Sequence, residues 1–340
     1  MAVICLIQKI PKMGTTLNVW ARLSTYPSIK SFEDLMDFPE LLITYESRVV
    51  KGRDEVPLLI YQQLNQLIIV LASPKDLQVL AGSEYYIADG NRKYSPKGSE
   101  QLYTIHGVLK GETVALAHCI TERADENTYY TAFNEVRKAM LDQGVEIKVR
   151  AIYTDFEKSA RNGFQRVFPE AVVRGCYFHF TQAVWRSVQR IGLQTIYERH
   201  RQPYDQPEFQ PVNQWIRRLM AIGLLPREDV LFIWNNFLWE IPHVPIVAVQ
   251  QKLDALRQYF QDYWLGSYEM IDWFNHWQSG FRTTNNAEAY HSALRTTFQQ
   301  KNPPIGVWFT DFQMVHHHLQ QTIIRIERGE NVHDERRQNL

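Results

Sequence analysis

Three carboxylates, Asp89, Asp155 and Glu288, stand where a chain can present acids to a phosphate. Asp89 closes the run Tyr85-Tyr86-Ile87-Ala88, and Asp155 closes Val149-Arg150-Ala151-Ile152-Tyr153-Thr154. Glu288 lies in Arg282-Thr283-Thr284-Asn285-Asn286-Ala287-Glu288-Ala289-Tyr290-His291. The first two runs read as strands and the third as the first turn of a helix. Two strand-end acids and a distant helical one suit phosphodiester chemistry on nucleic acid. In-line attack on phosphorus by water or a 3′-hydroxyl is served by two divalent cations about 4 Å apart, which activate the nucleophile and stabilise the leaving oxygen. Mg2+ or Mn2+ fits that task, being a hard cation that prefers oxygen ligands and retains exchangeable waters. The sequence has neither a G-x-x-x-x-G-K nucleotide loop nor an H-E-x-x-H helix.

Each acid also has an ordinary structural reading. Asp89-Gly90 is a common hairpin turn. Asp155 precedes a helix and could cap it. With Asn285 as N-cap, Glu288 falls at the third helical position, a variant capping box, and His291, Ser292 and Arg295 share its face. Glu157, two residues past Asp155, is the nearest competing acid and is expected to point elsewhere. Cys176 and His179 form a C-x-x-H pair, but structural zinc wants four ligands and no second pair stands at matching spacing. The His316-His317-His318 run can turn at most two neighbours to one point on a helix.

The elements that must position these groups alternate clearly. Strand-like runs occur at 56–61 and 67–72, with a short helix at 74–82. Three further strands follow at 84–89, 101–109 and 112–121, separated by turn-formers such as Asp89-Gly90 and Lys110-Gly111. Tyr129, Phe133, Val136 and Met140 recur at helical spacing, and the pattern stops at Gly144. A strand is expected at 147–155, a helix at 157–168 and a strand at 171–178. The resulting order, βββαβαβ, predicts an α/β fold with an antiparallel meander extended by parallel crossovers.

After Phe180 the pattern is helical for about a hundred residues. Seven of the nine tryptophans fall there, from Trp185 to Trp277. They could be base-stacking platforms, but their spacing among Leu, Ile and Phe favours a packed core. Leu253, Leu256, Phe260 and Tyr263 are expected to line one buried face.

Composition sets bounds. Net charge is zero, with 37 basic and 37 acidic residues, which excludes a strongly basic protein. Between Arg150 and Arg201, nine Lys/Arg face four Asp/Glu, an excess of 9 − 4 = +5, so a local basic surface is available. Cys5, Cys119 and Cys176 are too few and scattered for a disulfide framework, which favours a reducing compartment. No apolar run reaches a membrane-spanning length of about 18 residues, and the chain reads as soluble with no targeting signal.

The order, flanks and gaps of these segments resemble the transposase domain of Mutator-like elements, the MULE family. The resemblance rests on Asp89-Gly90 followed by Gln101-Leu102-Tyr103-Thr104-Ile105-His106-Gly107, on Thr154-Asp155-Phe156-Glu157-Lys158-Ser159-Ala160, on Cys176-x-x-His179, and on the 282–295 segment. It spans roughly residues 55–325. One departure is Asn91-Arg92, where the family usually has Thr and Phe.

The resemblance implies an RNase H-like core interrupted by an all-helical insertion, with Asp89, Asp155 and Glu288 as a DDE triad of catalytic metal ligands. Roles for Cys176, His179 and His291 stay open. The implied organisation is an N-terminal extension at 1–54, core at 55–180, helical insertion at 181–280, core helices at 281–325 and a polar tail at 326–340. The implied activity is DNA transposition with Mg2+ or Mn2+, in the nucleus if the source is eukaryotic. Homo-oligomerisation or a separate DNA-binding module would assist it. The alternative is a transposase-derived, catalytically inactive DNA- or protein-binding protein.

Overall fold

In the computed structural model, the described residues are 59–63, 66–198, 209–276, 290–291, 294–298, 300–330 and 332. Glu288, the N-terminal extension and most of the polar tail lie outside them. The chain divides into two compact units, Met1–Val173 with Thr284–Leu340, and Arg174–Thr283.

The first unit is built on a mixed seven-stranded sheet. Its strands are β1 (Leu59–Gln63), β2 (Ile68–Leu71), β3 (Tyr85–Asn91), β4 (Gln101–Leu109), β5 (Glu112–Thr121), β6 (Ala151–Thr154) and β7 (Val172–Gly175). They lie in the order β1-β2-β5-β4-β3-β6-β7. Strands β3, β4 and β5 form the expected antiparallel meander. Lys110 and Gly111 close the β4–β5 hairpin with φ of 48° and 87°. Positive φ at both positions is the two-residue turn whose twist matches that of paired strands.

Asp89-Gly90 is not a turn. Strand β3 runs through it, pairing Asp89 with Thr104 and Gly90 with Tyr103. The chain turns one residue beyond the pair, where Asn91 Oδ1 accepts from the backbone N–H groups of Lys93 (2.9 Å) and Tyr94 (3.0 Å). Two other boundaries shift. Strand β6 is shorter than expected because Lys148 N–H and Arg150 N–H bond to the carbonyls of Ala81 and Glu84 ahead of it. Strand β7 ends at Gly175 because a helix starts at Tyr177.

Helices cover both faces of the sheet. On one face lie α2 (Glu126–Asp142), which leads into the parallel strand β6, and α3 (Lys158–Val167), between β6 and β7; α1 (Pro74–Gly82) precedes β3. Tyr129, Phe133, Val136 and Met140 of α2 are fully buried. Phe133 stacks on Phe164 of α3 with centroids 3.9 Å apart. The approach is close because position 163 is glycine; a Cβ there would meet Tyr129 Cβ at 2.9 Å.

The opposite face carries histidines on β4 and β5. His106 packs edge-on to Tyr290 at 5.3 Å, and His118 edge-on to Phe312 at 4.8 Å. Phe312 belongs to the long helix Ile305–Glu327. That helix is tied to α1 by a buried carboxylate. Asp76 accepts from Ser73 N–H (2.8 Å), Ser73 O–H (2.7 Å), His316 Nε2 (2.8 Å) and Gln320 Nε2 (2.6 Å). A buried carboxylate is tolerable when its lone pairs are filled in this way. In the triple-histidine run, His316 is buried while His317 and His318 are half-buried.

The second unit is helical at every regular element described from Tyr177 to Phe274: α4 (Tyr177–Ile191), α5 (Gln194–Glu198), α6 (Gln210–Ala221), α7 (Arg227–Ile233), α8 (Val247–Tyr259), α9 (Tyr268–Phe274) and shorter turns. Trp215, Trp234, Trp264 and Trp273 are buried, Trp185 is half-buried and Trp239 is exposed. Phe180 stacks on Phe274 at 4.8 Å and meets Trp264 edge-on at 4.7 Å. The expected buried face of α8 holds for Leu253, Leu256 and Phe260, but Tyr263 is exposed and Trp264 is buried instead. The cause is a π-helical turn at Phe260–Trp264, whose extra residue advances the inward position by one.

The buried histidines make the first unit acid-sensitive. Burial, with the neighbouring His291 charge, pushes His106 down to about 3, and burial, followed by His316 and His106, holds His118 well below the usual histidine range. Both are therefore neutral in the fold, whereas the unfolded chain takes up their protons below about pH 6.5. Between those limits the unfolded state binds more protons, so stability is full above pH 6.5 and falls with acidification. The expected loss is up to about 1.4 kcal/mol per pH unit for each histidine. Denaturant unfolding from pH 7 to pH 4 should show a shallower loss for His106→Asn, whose amide can still donate to Ile87; equal slopes would contradict the assignment.

Candidate active site

Strand pairing brings Asp89 and Asp155 together. Strands β3 and β6 are parallel, with Ile87 opposite Tyr153. Two residues further along each strand direction come Asp89 and Asp155. Continued by two residues, that register sets Asp89, inside β3, opposite Asp155, one residue past the end of β6, on backbones about 4.8 Å apart where the strands pair. Asp89 is 6% exposed, and its Oδ1 accepts from Gly90 N–H at 3.0 Å. His291 Nδ1 stands 3.4 Å from Asp89 Oδ2. The segment containing Tyr290 and His291 thus reaches the first acid from more than 200 positions away in sequence.

Asp155 is held from behind and from ahead. The buried hydroxyls of Tyr103 and Thr154 lie 2.6 Å apart, and Thr154 O–H donates to Asp155 Oδ1 at 3.4 Å. The same oxygen accepts from Glu157 N–H at 3.2 Å. That local turn takes Asp155 out of the capping role, and the N-cap of α3 is Glu157. Desolvation, then the Asp155 charge, keeps the Tyr103 phenol well above its ordinary pKa, so the chain of hydroxyls stays protonated.

An open cleft of about 640 Å³ adjoins Asp155, lined by Gly90, Asn91, Arg92, Lys93, Gln101, Asp155, Phe156 and Glu157. The presence of Glu157 corrects the expectation that it points elsewhere. The Asp155 turn swings residue 157 back, and Tyr129 O–H donates to Glu157 Oε1 at 2.8 Å. Gln101 in turn donates to Tyr129. Burial and the Asp155 charge raise the Glu157 pKa, with the Tyr129 hydrogen bond opposing them. Gly90 leaves room for this chain, because a Cβ there would push the Gln101 amide aside. No local signal in the sequence marks Glu157 or Gln101 as cleft residues, since their partner Tyr129 lies on a helix 28 positions from each.

Carboxylate oxygens beside an open cleft are the donor set a hard cation takes. Among the described residues, no group of three or more His, Cys, Asp or Glu side chains gathers in a metal-holding cluster. Glu288 lies outside the described residues. Cys176 and His179 sit at the N-cap and third position of α4, Cys176 fully buried and His179 half-buried beside Phe178.

Residues 95–183 match the MULE transposase domain. A search of curated proteins finds no match. The MULE match covers 89 of the 340 residues, 183 − 95 + 1, running from the β3–β4 connection into α4. It contains Asp155, Glu157, Cys176 and His179; Asp89 and Glu288 fall outside it.

The hydroxyl chain behind Asp155 can be tested by a double-mutant cycle. Thr154→Val strands the buried Tyr103 hydroxyl and should cost about 1–3 kcal/mol. Adding Tyr103→Phe should recover much of that loss, because no unsatisfied donor then remains. Denaturant unfolding of both single variants and the double variant measures it, and additive losses would show that the two hydroxyls are not coupled.

Proposed function

We propose that this chain is a DNA transposase of the MULE type, with metal-dependent phosphodiester cleavage and strand transfer carried by Asp89, Asp155 and Glu288. The MULE match at 95–183 supports a transposase-related function and an interaction with DNA. The observation that carries the catalytic reading is the parallel β3–β6 pairing, whose register, continued by two residues, would make neighbours of two acids separated by 66 positions, 155 − 89. His291 against Asp89 adds support, because Glu288 is only three residues before it. On this reading the sheet and its helices are an RNase H-like core, and the helical Arg174–Thr283 unit is an insertion within it.

Asp89, Asp155 and Glu288 would hold Mg2+ or Mn2+. When bound, such cations activate the attacking hydroxyl or water and stabilise the leaving oxygen. The protein groups around them have separate tasks. His291 and Gly90 N–H fix the Asp89 carboxylate, while Thr154 O–H and Glu157 N–H fix that of Asp155. Fixed carboxylates present their remaining lone pairs without reorganisation, which is how surrounding groups tune a metal site. No helix among the described residues is long and apolar enough to cross a membrane, and a DNA substrate asks for none. A separate DNA-binding module or oligomerisation would supply end recognition, consistent with zero net charge.

Incubating the protein with labelled duplex DNA and Mg2+ or Mn2+ tests the proposal. Wild type should nick or cut DNA only with metal, and Asp89→Asn and Asp155→Asn should each lower the rate at least about 100-fold, some 2.7 kcal/mol of transition-state stabilisation. Both should also weaken Mn2+ binding measured by calorimetry. Metal-dependent cutting that survives Asp89→Asn would remove the triad assignment. DNA binding with no cutting under any metal would favour the transposase-derived binding protein.

A further inference from the structure

We infer that Arg92 and Lys93 form a phosphate-gripping lip that holds the DNA backbone beside Asp155, an inference that rests on the proposed DNA-processing function. These residues follow Asn91, where the sequence departs from the MULE pattern. Asn91 creates their geometry: its side chain bonds to the backbone N–H groups of Lys93 and Tyr94 and turns the chain sharply off β3.

The backbone of this corner is clamped on its inner side. Asn302 Nδ2 donates to Arg92 O at 2.8 Å, Asn302 N–H to Lys93 O at 2.9 Å, and Trp308 Nε1 to Tyr94 O at 2.7 Å. Lys97 N–H bonds to Pro303 O at 2.9 Å, and the Tyr94 ring stacks on Phe298. Three consecutive carbonyls are thus consumed by the protein while the Arg92 and Lys93 side chains remain exposed. A preformed backbone spares a ligand the entropy of ordering the loop.

Both cations line the same cleft as Asp155 and Glu157. Two acids alone would repel a phosphodiester; two cations on the same cleft offset them. Arg92 is held by an ion pair with Glu100, its side chain 64% exposed. An exposed pair of this kind contributes little, so a phosphate can replace Glu100 at small cost. Arg can then engage the phosphate with two parallel N–H groups. The chain has no net positive charge to attract DNA from all sides, so contacts must be local, and here both cations share a cleft with Asp155, one of the proposed metal ligands.

The test is duplex DNA binding followed by fluorescence anisotropy from 50 to 300 mM KCl, in EDTA so that metal plays no part. Each lost phosphate contact lowers the slope of log K against log salt by about 0.9. Arg92→Ala/Lys93→Ala should reduce the slope by about 1.8 and weaken binding about equally on unrelated sequences. Arg92→Lys/Lys93→Arg should keep the wild-type slope, showing that charge and not folding is responsible. Glu100→Gln, which releases Arg92, should bind at least as tightly as wild type. A double-alanine slope equal to wild type overturns the inference. So does full competition by inorganic phosphate at constant ionic strength, which would mark a site for free phosphate. Wild type with no salt-dependent DNA binding would instead remove the proposed function itself, and the lip with it.

Discussion

The pairing of β3 with two different partners governs the first unit. Its antiparallel edge meets β4 and its parallel edge meets β6. A parallel neighbour cannot be reached by a tight turn and needs a crossover, here the meander followed by α2. That route places the strand ends bearing Asp89 and Asp155 side by side, and buries β3 under helices on both faces. A slip of one residue in either pairing would send alternate side chains to the opposite face. Tyr86 would then leave its edge-on contact with Phe168, and Asp89 would turn away from His291. The hydrophobic fit of β3 and the placement of its acid are therefore secured by the same register.

Much of the polar chemistry in this unit is buried and structural. The Asp76 carboxylate ties the long C-terminal helix to α1 through His316 and Gln320. That helix begins just after Asn302 and Pro303, and its Trp308 clamps the turn beyond β3. The cleft rim and the far end of the chain are consequently parts of one packed body. His106 and His118 lie between the sheet and Tyr290, in neutral form because no counter-charge offsets their desolvation. They serve as polar-edged spacers beneath the segment that delivers His291 to Asp89.

Around the cleft, charges are balanced one against another. Asp155 and Glu157 stand close enough that the first raises the pKa of the second, after burial. The Tyr129 hydroxyl partly offsets this by donating to Glu157, and Gln101 extends the chain across Gly90. Arg92 and Lys93 complete the rim. The formal charges of Arg92 and Lys93 thus balance those of Asp155 and Glu157 along the cleft.

Local patterning fixed a large part of this protein in advance. The apolar runs of β3, β4 and β5, the Lys110-Gly111 turn and the helical spacing of Tyr129, Phe133, Val136 and Met140 are short-range signals, and each produced its element. The acids Asp89 and Asp155 were visible for the same reason, since strand-end carboxylates follow obvious apolar runs. Long-range pairing decided the remainder. Asp89-Gly90 has the composition of a turn, but ladder bonds to Thr104 and Tyr103 keep it in a strand. Glu157 has no local cue directing it to the cleft; a tyrosine on another helix turns it there. Trp264 replaces Tyr263 in the core because an inserted helical residue follows packing, not periodicity. Nothing near His291 in sequence names Asp89 as its neighbour. Propensity acts over a few residues, whereas register, close helix approach and buried hydrogen bonds depend on groups that meet only after the chain has folded.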